Sequence, residues 1–85
     1  MVEVTVRIFT TPTCPKCPEA KALVKEIGRH YDFDVDEIDL SRDLLTGLQY
    51  QVASAPSIAV NDCVITRGEV PRKEELIREI ERAMG

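Results

Sequence analysis

Apolar and polar positions alternate over residues 2 to 9, where Val2, Val4, Val6 and Ile8 are interleaved with Glu3, Thr5 and Arg7. A period of two predicts a first strand covered on one face. The alternation stops at Thr10-Thr11-Pro12-Thr13. Beyond it Ala20, Leu23, Val24 and Ile27 recur at intervals of three and four, with Lys16, Glu19, Lys21, Lys25 and Glu26 elsewhere. This spacing predicts a helix from Pro15 to about Arg29, beginning at the cysteines. Phe33, Val35, Ile38 and Leu40 mark a second strand, whose alternation slips at Asp36-Glu37. Leu44, Leu45, Leu48 and Val52 then take helical spacing, with Ser41 as the expected N-cap and Gly47 as a weakening residue. Ser54-Ala55-Pro56 reads as a turn into Ser57-Ile58-Ala59-Val60, which a two-residue polar turn, Asn61-Asp62, joins to Cys63-Val64-Ile65-Thr66-Arg67. After Gly68, Pro71 suits the first position of a last helix, whose stripe is Leu76, Ile77, Ile80 and Met84. The order is βαβαββα, an α/β class.

At 85 residues the chain has material for one core only, so residues 1–85 are expected to form a single domain. No repeat or linker interrupts it. Eleven basic against fifteen acidic residues, for a net charge of −4 and a pI near 4.9, argue against non-specific attraction to nucleic acid or anionic membranes. No apolar run reaches the roughly 18 residues of a membrane span, and Met1-Val2-Glu3-Val4 does not read as a targeting leader. A cytoplasmic setting is the expectation. Small folds often rely on a disulfide or metal staple, which draws attention to the three cysteines. Three is odd, two of them lie only three residues apart, and in a reducing compartment such a pair points to redox or metal chemistry.

Cys14 stands where the first helix is expected to start, so its sulfur faces unpaired N–H groups and the positive end of the helix dipole. With Lys16 adding a cation, its thiol pKa is expected to fall from ~8.5 to roughly 6–7. Cys17 follows on the same helical face, about 5–6 Å away between Cβ atoms, within reach of a disulfide. Its more interior position, one turn before Ala20, should keep it protonated until a mixed disulfide forms on Cys14. In this reading Cys14 attacks and Cys17 resolves. Zinc would need further ligands, and His30, thirteen residues beyond Cys17 and roughly 20 Å away along a continuous helix, cannot supply one. His30 is expected to face solvent, and Cys63 to be a half-buried packing residue.

Thr-Pro-Thr-Cys14-Pro15-Lys16-Cys17 between a strand and a helix, Ala55-Pro56 opening a hairpin, and Gly68 before the last helix resemble the thioredoxin and glutaredoxin family. The resemblance covers essentially the whole chain and is strongest to the small, glutaredoxin-sized thioredoxins of archaea. It implies a thioredoxin-like fold: a four-stranded mixed sheet flanked by helices, in the order second, first, third, fourth strand. It also implies a cis peptide at Ala55-Pro56 beside the cysteines. A protein disulfide substrate would dock against Thr13, Pro15, Lys16, Ala55 and Pro56, with Ala55 offering backbone hydrogen bonds to an extended segment.

The departures from the family pattern matter as much. Full-length thioredoxins carry Trp-Cys-Gly-Pro-Cys and a buried carboxylate six residues before the first cysteine, where this chain has Ile8. Cys17 must then lose its proton to water, Lys16 or another group such as Glu69. Glutaredoxins carry a Gly-Gly-x-Asp after the hairpin, and Thr66-Arg67-Gly68-Glu69 lacks its second glycine and its aspartate. The resemblance therefore favours a monomeric protein disulfide oxidoreductase and dithiol electron carrier. It would hold no cofactor of its own and be reduced by a separate flavoprotein disulfide reductase. A glutathione-dependent glutaredoxin is the first alternative, and a carrier of an iron–sulfur cluster or metal the second.

Overall fold

A computed structural model describes residues 4–85; Val2 and Glu3 of the expected first strand lie outside them. Strand β1 spans Thr5–Thr10, β2 Asp34–Asp39, β3 Ser57–Val60 and β4 Cys63–Arg67. Helix α1 spans Cys17–Ile27, α2 Leu44–Gln49 and α3 Lys73–Met84. The strands form one mixed sheet in the order β2-β1-β3-β4, as the family resemblance implied. Strand β1 pairs in parallel with β2, through the α1 crossover that a parallel pair requires, and antiparallel with β3, which pairs antiparallel with β4.

Being internal, β1 is covered on both faces at its C-terminal half rather than on one. Val6 and Ile8 pack with Ala20, Val24 and Ile27 of α1 and Leu76 and Ile80 of α3. Phe9, fully buried, points to the opposite face with Ile38, Leu40, Val52 and Ala59. Tyr50 closes that smaller cluster, its ring 5.4 Å from Phe9 by centroids, and Arg7 lies 5.5 Å over the same ring. On the edge strand β2, the slip seen in the sequence resolves with Ile38 buried and Val35 exposed.

The helices depart from expectation at their ends. Helix α1 starts at Cys17, not Pro15, with Pro18 in its first turn, where a missing N–H leaves nothing unpaired. The N-cap of α2 is Asp43 rather than Ser41. Its carboxylate accepts from the Thr46 amide at 3.2 Å and the Thr46 hydroxyl at 2.8 Å, while Ser41 donates its own amide and hydroxyl to Asp39. Those two bonds stabilise the ionised carboxylate of Asp39 and hold its pKa below the ordinary value. Gly47 is buried, and a Cβ there would stand 2.9 Å from Leu40 Cδ2 and 3.1 Å from the Val52 carbonyl oxygen. It is the point of close contact that lets α2 lie against Leu40, the residue after β2, and Val52. Pro71 lies two residues before α3 rather than at its start.

The Asn61-Asp62 turn is tied back to β1. Asn61 takes a positive φ of 54°, its Oδ1 accepts from the Thr5 amide at 3.0 Å, and its carbonyl accepts from Arg7 Nη1 at 2.7 Å. Cys63, expected to be half-buried, is exposed and free, because it opens the edge strand β4 immediately after that turn. His30 is exposed, as its position past the end of α1 suggested.

Candidate active site

Where β1 ends, the chain turns through Thr11 to Cys14, whose amide donates to the Thr11 carbonyl at 3.3 Å. Residues 15 and 16 bend onward, and Lys16 caps α1, its carbonyl accepting the first helical bond from Ala20 at 3.1 Å. Cys14 therefore precedes the helix by three residues instead of opening it. It still lies at the end where first-turn amides have no intrahelical acceptor. Cys14 and Cys17 are joined by a disulfide, with their Cα atoms 5.5 Å apart. The two cysteines are unequal in their surroundings: Cys14 is half-buried beside exposed Thr13, Pro15 and Lys16, whereas Cys17 is 4% exposed and belongs to the buried side of α1.

Ala55 and Pro56 reach the same end of the sheet from the other side. Ser57 pairs with Phe9, so the segment enters β3 beside the point at which β1 leaves for Cys14. The Ala55–Pro56 peptide is cis, as the resemblance implied. Pro56 is fully buried and Ala55 half-buried, so Ala55 is the more accessible of the two.

The residue that holds this segment was not singled out from the sequence. Ser57, fully buried, donates its hydroxyl to the Ser54 carbonyl at 2.6 Å and accepts the Gly68 amide at 3.1 Å. One side chain thus ties the loop before the cis peptide to the glycine after β4. Gly68 has φ 79°, and a Cβ there would press on Ser54 at 3.2 Å, so glycine serves both conformation and space. A serine directly after a proline, opening an otherwise apolar strand, is the signal that could have marked Ser57.

A half-buried cysteine and a buried one, three residues apart at the mouth of a helix and flanked by a cis-proline segment on a four-stranded mixed sheet, define the thioredoxin-like class of thiol–disulfide oxidoreductases. The chain belongs to the thioredoxin family: the family model described as a thioredoxin domain matches residues 3–81. It is 36% identical over 83 residues to a probable thioredoxin of Methanothermobacter thermautotrophicus, covering 95% of this chain and 96% of the relative. To a thioredoxin of Methanocaldococcus jannaschii it is 30% identical over 86 residues, covering 99% and 100%. Among solved structures, a mutant thioredoxin from Halobacterium salinarum superposes with a TM-score of 0.81 at 17% identity, covering 99% of this chain and 77% of that one. A malaria parasite thioredoxin-2 gives 0.77 at 19% identity, covering 95% and 84%. The activity class, thiol–disulfide oxidoreductase, comes with the family; the two structures carry the fold.

Proposed function

We propose that this protein reduces protein disulfides through the Cys14-Pro15-Lys16-Cys17 motif and is itself re-reduced by a separate flavoprotein disulfide reductase. The observation that carries the proposal is the unequal exposure of the paired cysteines, Cys14 half-buried and Cys17 buried. In the reduced protein the Cys14 thiolate attacks one sulfur of the substrate disulfide, forming a mixed disulfide and expelling the other sulfur as a thiolate, which takes a proton. Cys17 then gives up its proton and attacks the Cys14 sulfur. The second substrate thiol is released and the Cys14–Cys17 disulfide closes, so two electrons have passed to the substrate. Thiol–disulfide exchange with the reductase's dithiol runs the same steps in reverse.

Thr13, Pro15 and Lys16 form the exposed rim on one side of Cys14, and Ala55 the backbone edge on the other. A chain laid between them would pair with that edge in the manner of an added strand. The motif's departure from the glutaredoxin pattern at Glu69 supports a protein reductant over glutathione, because an acidic side chain there opposes a glutathione carboxylate. A single polypeptide domain acting as a monomer completes the reading. Among the described residues no helix is long and apolar enough to cross a membrane, and we place the activity in the cytoplasm.

The test is a reductant comparison on the oxidised protein. Turnover of a protein disulfide should be sustained by NADPH with a thioredoxin reductase, should be much slower with glutathione, and should vanish in Cys14→Ser with the fold intact. Equal turnover with glutathione would replace the proposal by a glutaredoxin activity.

A further inference from the structure

Between the end of α2 and the start of β3 the chain has no ladder to hold it. Residues 52–56 belong to neither helix nor strand, and among the described residues the amides of Ala53, Ser54 and Ala55 donate to no backbone carbonyl. Two consecutive residues at the end of β4 hold this stretch instead. Gly68 acts at its far end, through the Ser57 hydroxyl that donates to the Ser54 carbonyl. Arg67 acts at the near end: its Nε donates to the Gln51 carbonyl at 3.1 Å and its Nη2 faces the Tyr50 carbonyl at 3.5 Å. Those carbonyls belong to the residues that close α2. The Gln51 amide donates to the Leu48 carbonyl at 3.1 Å and the Val52 amide to the Gly47 carbonyl at 2.8 Å. A helix end of this kind needs a left-handed residue, most often glycine, and here Gln51 takes that place with φ 55°. Asp62, the carboxylate in the same groove, accepts from the Tyr50 hydroxyl at 3.2 Å, and among the described residues Arg67 makes no ion pair. Its charge is directed at backbone carbonyls.

We propose that Arg67 is a positioning residue for the reduction of protein disulfides: by holding the Gln51 and Tyr50 carbonyls it sets where the Ala55 backbone stands at the active-site end of the sheet. Gln51 and Ser54 are three residues apart, about 10 Å of extended chain. Anchoring both carbonyls restrains Ala53 between them and gives Ala55, next to Ser54, a fixed place. A guanidinium suits the task because its N–H donors lie in one rigid plane and serve two neighbouring carbonyls at once. Arg67 acts through the Ala55 segment and not on the reacting sulfurs. An extended chain that pairs with the Ala55 backbone would feel its loss, whereas a small disulfide that needs only the Cys14 sulfur would not. The proposal rests on the reading of the protein as a reductant of protein disulfides and names a residue that serves that class of substrate.

The experiment uses the reduced full-length chain and two probes: a disulfide-linked peptide pair, and hydroxyethyl disulfide, which has no flanking chain. Arg67→Ala should lose roughly tenfold in kcat/KM on the peptide pair, mostly through KM, and stay within about twofold of the wild type on hydroxyethyl disulfide. Arg67→Lys, which keeps one donor, should recover part of the loss. Arg29→Ala removes the same charge from an exposed position beyond α1 and should change neither rate. Backbone NMR order parameters of Ala53, Ser54 and Ala55 should fall in Arg67→Ala while those of Ile58 and Ala59 hold. The double variant Gln51→Gly/Arg67→Ala separates positioning from stability. Glycine adopts φ 55° without strain, so the melting temperature should return toward that of the wild type while the rate on the peptide pair stays low. Equal losses on both probes, an equal loss in Arg29→Ala, unchanged order parameters, or a rate that returns together with stability each overturn the proposal. If the wild type reduces hydroxyethyl disulfide but not the peptide pair, the protein-disulfide reading fails and the role of Arg67 with it; failure of that role alone leaves peptide reduction by the wild type intact and matched by Arg67→Ala.

Discussion

On the side of the sheet that carries α1 and α3, apolar stripes at helical spacing are turned inward, and Ala20, Val24, Ile27, Leu76 and Ile80 are all buried. On the other side, α2 turns Leu44, Leu45 and Leu48 outward and contributes Gly47 as its buried residue, leaving Phe9, Ile38, Leu40, Val52, Ala59 and the ring of Tyr50 to form the interior. The same residue type thus does different work on the two faces. On one it excludes water from a core made by long helices; on the other it is held in solvent by a six-residue helix whose seat against the sheet depends on a glycine. Apolar spacing reports a helix, but which face of that helix is covered depends on how much structure is available to cover it.

Truncation on each side should give the largest difference between the two faces. Ile80→Ala, which opens a cavity in the larger core, should cost roughly 2–5 kcal/mol, while Leu48→Ala should stay within about 0.5 kcal/mol. Urea unfolding of both decides it; equal losses would mean that α2 is packed as tightly as α3. Ser57→Ala comes next. It leaves the Ser54 carbonyl and the Gly68 amide without their partner, at about 1–3 kcal/mol, and loosens the Ala55–Pro56 segment. A loss of unfolding free energy in that range, together with a lower rate on a protein disulfide, is the expected outcome.

A smaller effect is expected from Gly47→Ala. Alanine gains roughly 1 kcal/mol of helix propensity over glycine, but overpacking costs about 1–3 kcal/mol, and the Val52 carbonyl is backbone that cannot yield easily. The variant should be less stable than the wild type despite its better helix former; a gain would show that α2 does not sit closely on Leu40 and Val52.

The smallest effect concerns the tie between α1 and α3. Lys73 Nζ lies 2.8 Å from Glu26 Oε1, and that hydrogen bond and charge hold the glutamate pKa below its ordinary 4.5. A carboxylate whose folded-state pKa is depressed stabilises the fold above its ordinary value and loses that contribution as pH falls through the folded value. Both side chains are largely exposed, so the effect is slight and screened by salt. The stability difference between wild type and Glu26→Gln should be present at neutral pH and disappear in acid below the ordinary carboxylate value; a difference that persists there would rule the pair out as its source.

Most of the architecture was legible because it follows from local periodicity. The alternation of Val4, Val6 and Ile8, the stripes of α1 and α3, and the Asn61-Asp62 turn each encode a single element. Strand order and the cis peptide came from the resemblance carried by Cys14, Cys17, Ala55-Pro56 and Gly68, not from spacing. What was illegible depends on neighbours distant in sequence. Ser41 and Asp43 are both plausible caps, and Asp39 decides between them by taking Ser41's donors. Gly47 reads as a weak helix residue until Leu40 and Val52 are placed beside it. Cys63 looks like strand packing until its strand turns out to be an edge. At the site, the pair of cysteines was visible, whereas Ser57 acts through Ser54 and Gly68, and its role appears only when both ends of the hairpin are folded together.

If position divides the labour of Cys14 and Cys17 as proposed, limited alkylation will show it. The reduced native protein is treated at neutral pH with less than one equivalent of iodoacetamide, and the modified cysteine is mapped by mass. Cys63 is exposed and serves as an internal standard for an accessible thiol. Cys14 should be modified ahead of both Cys63 and the buried Cys17. Modification of Cys17 first would reverse the roles, and equal modification of Cys14 and Cys63 would remove the case that the helix end activates Cys14.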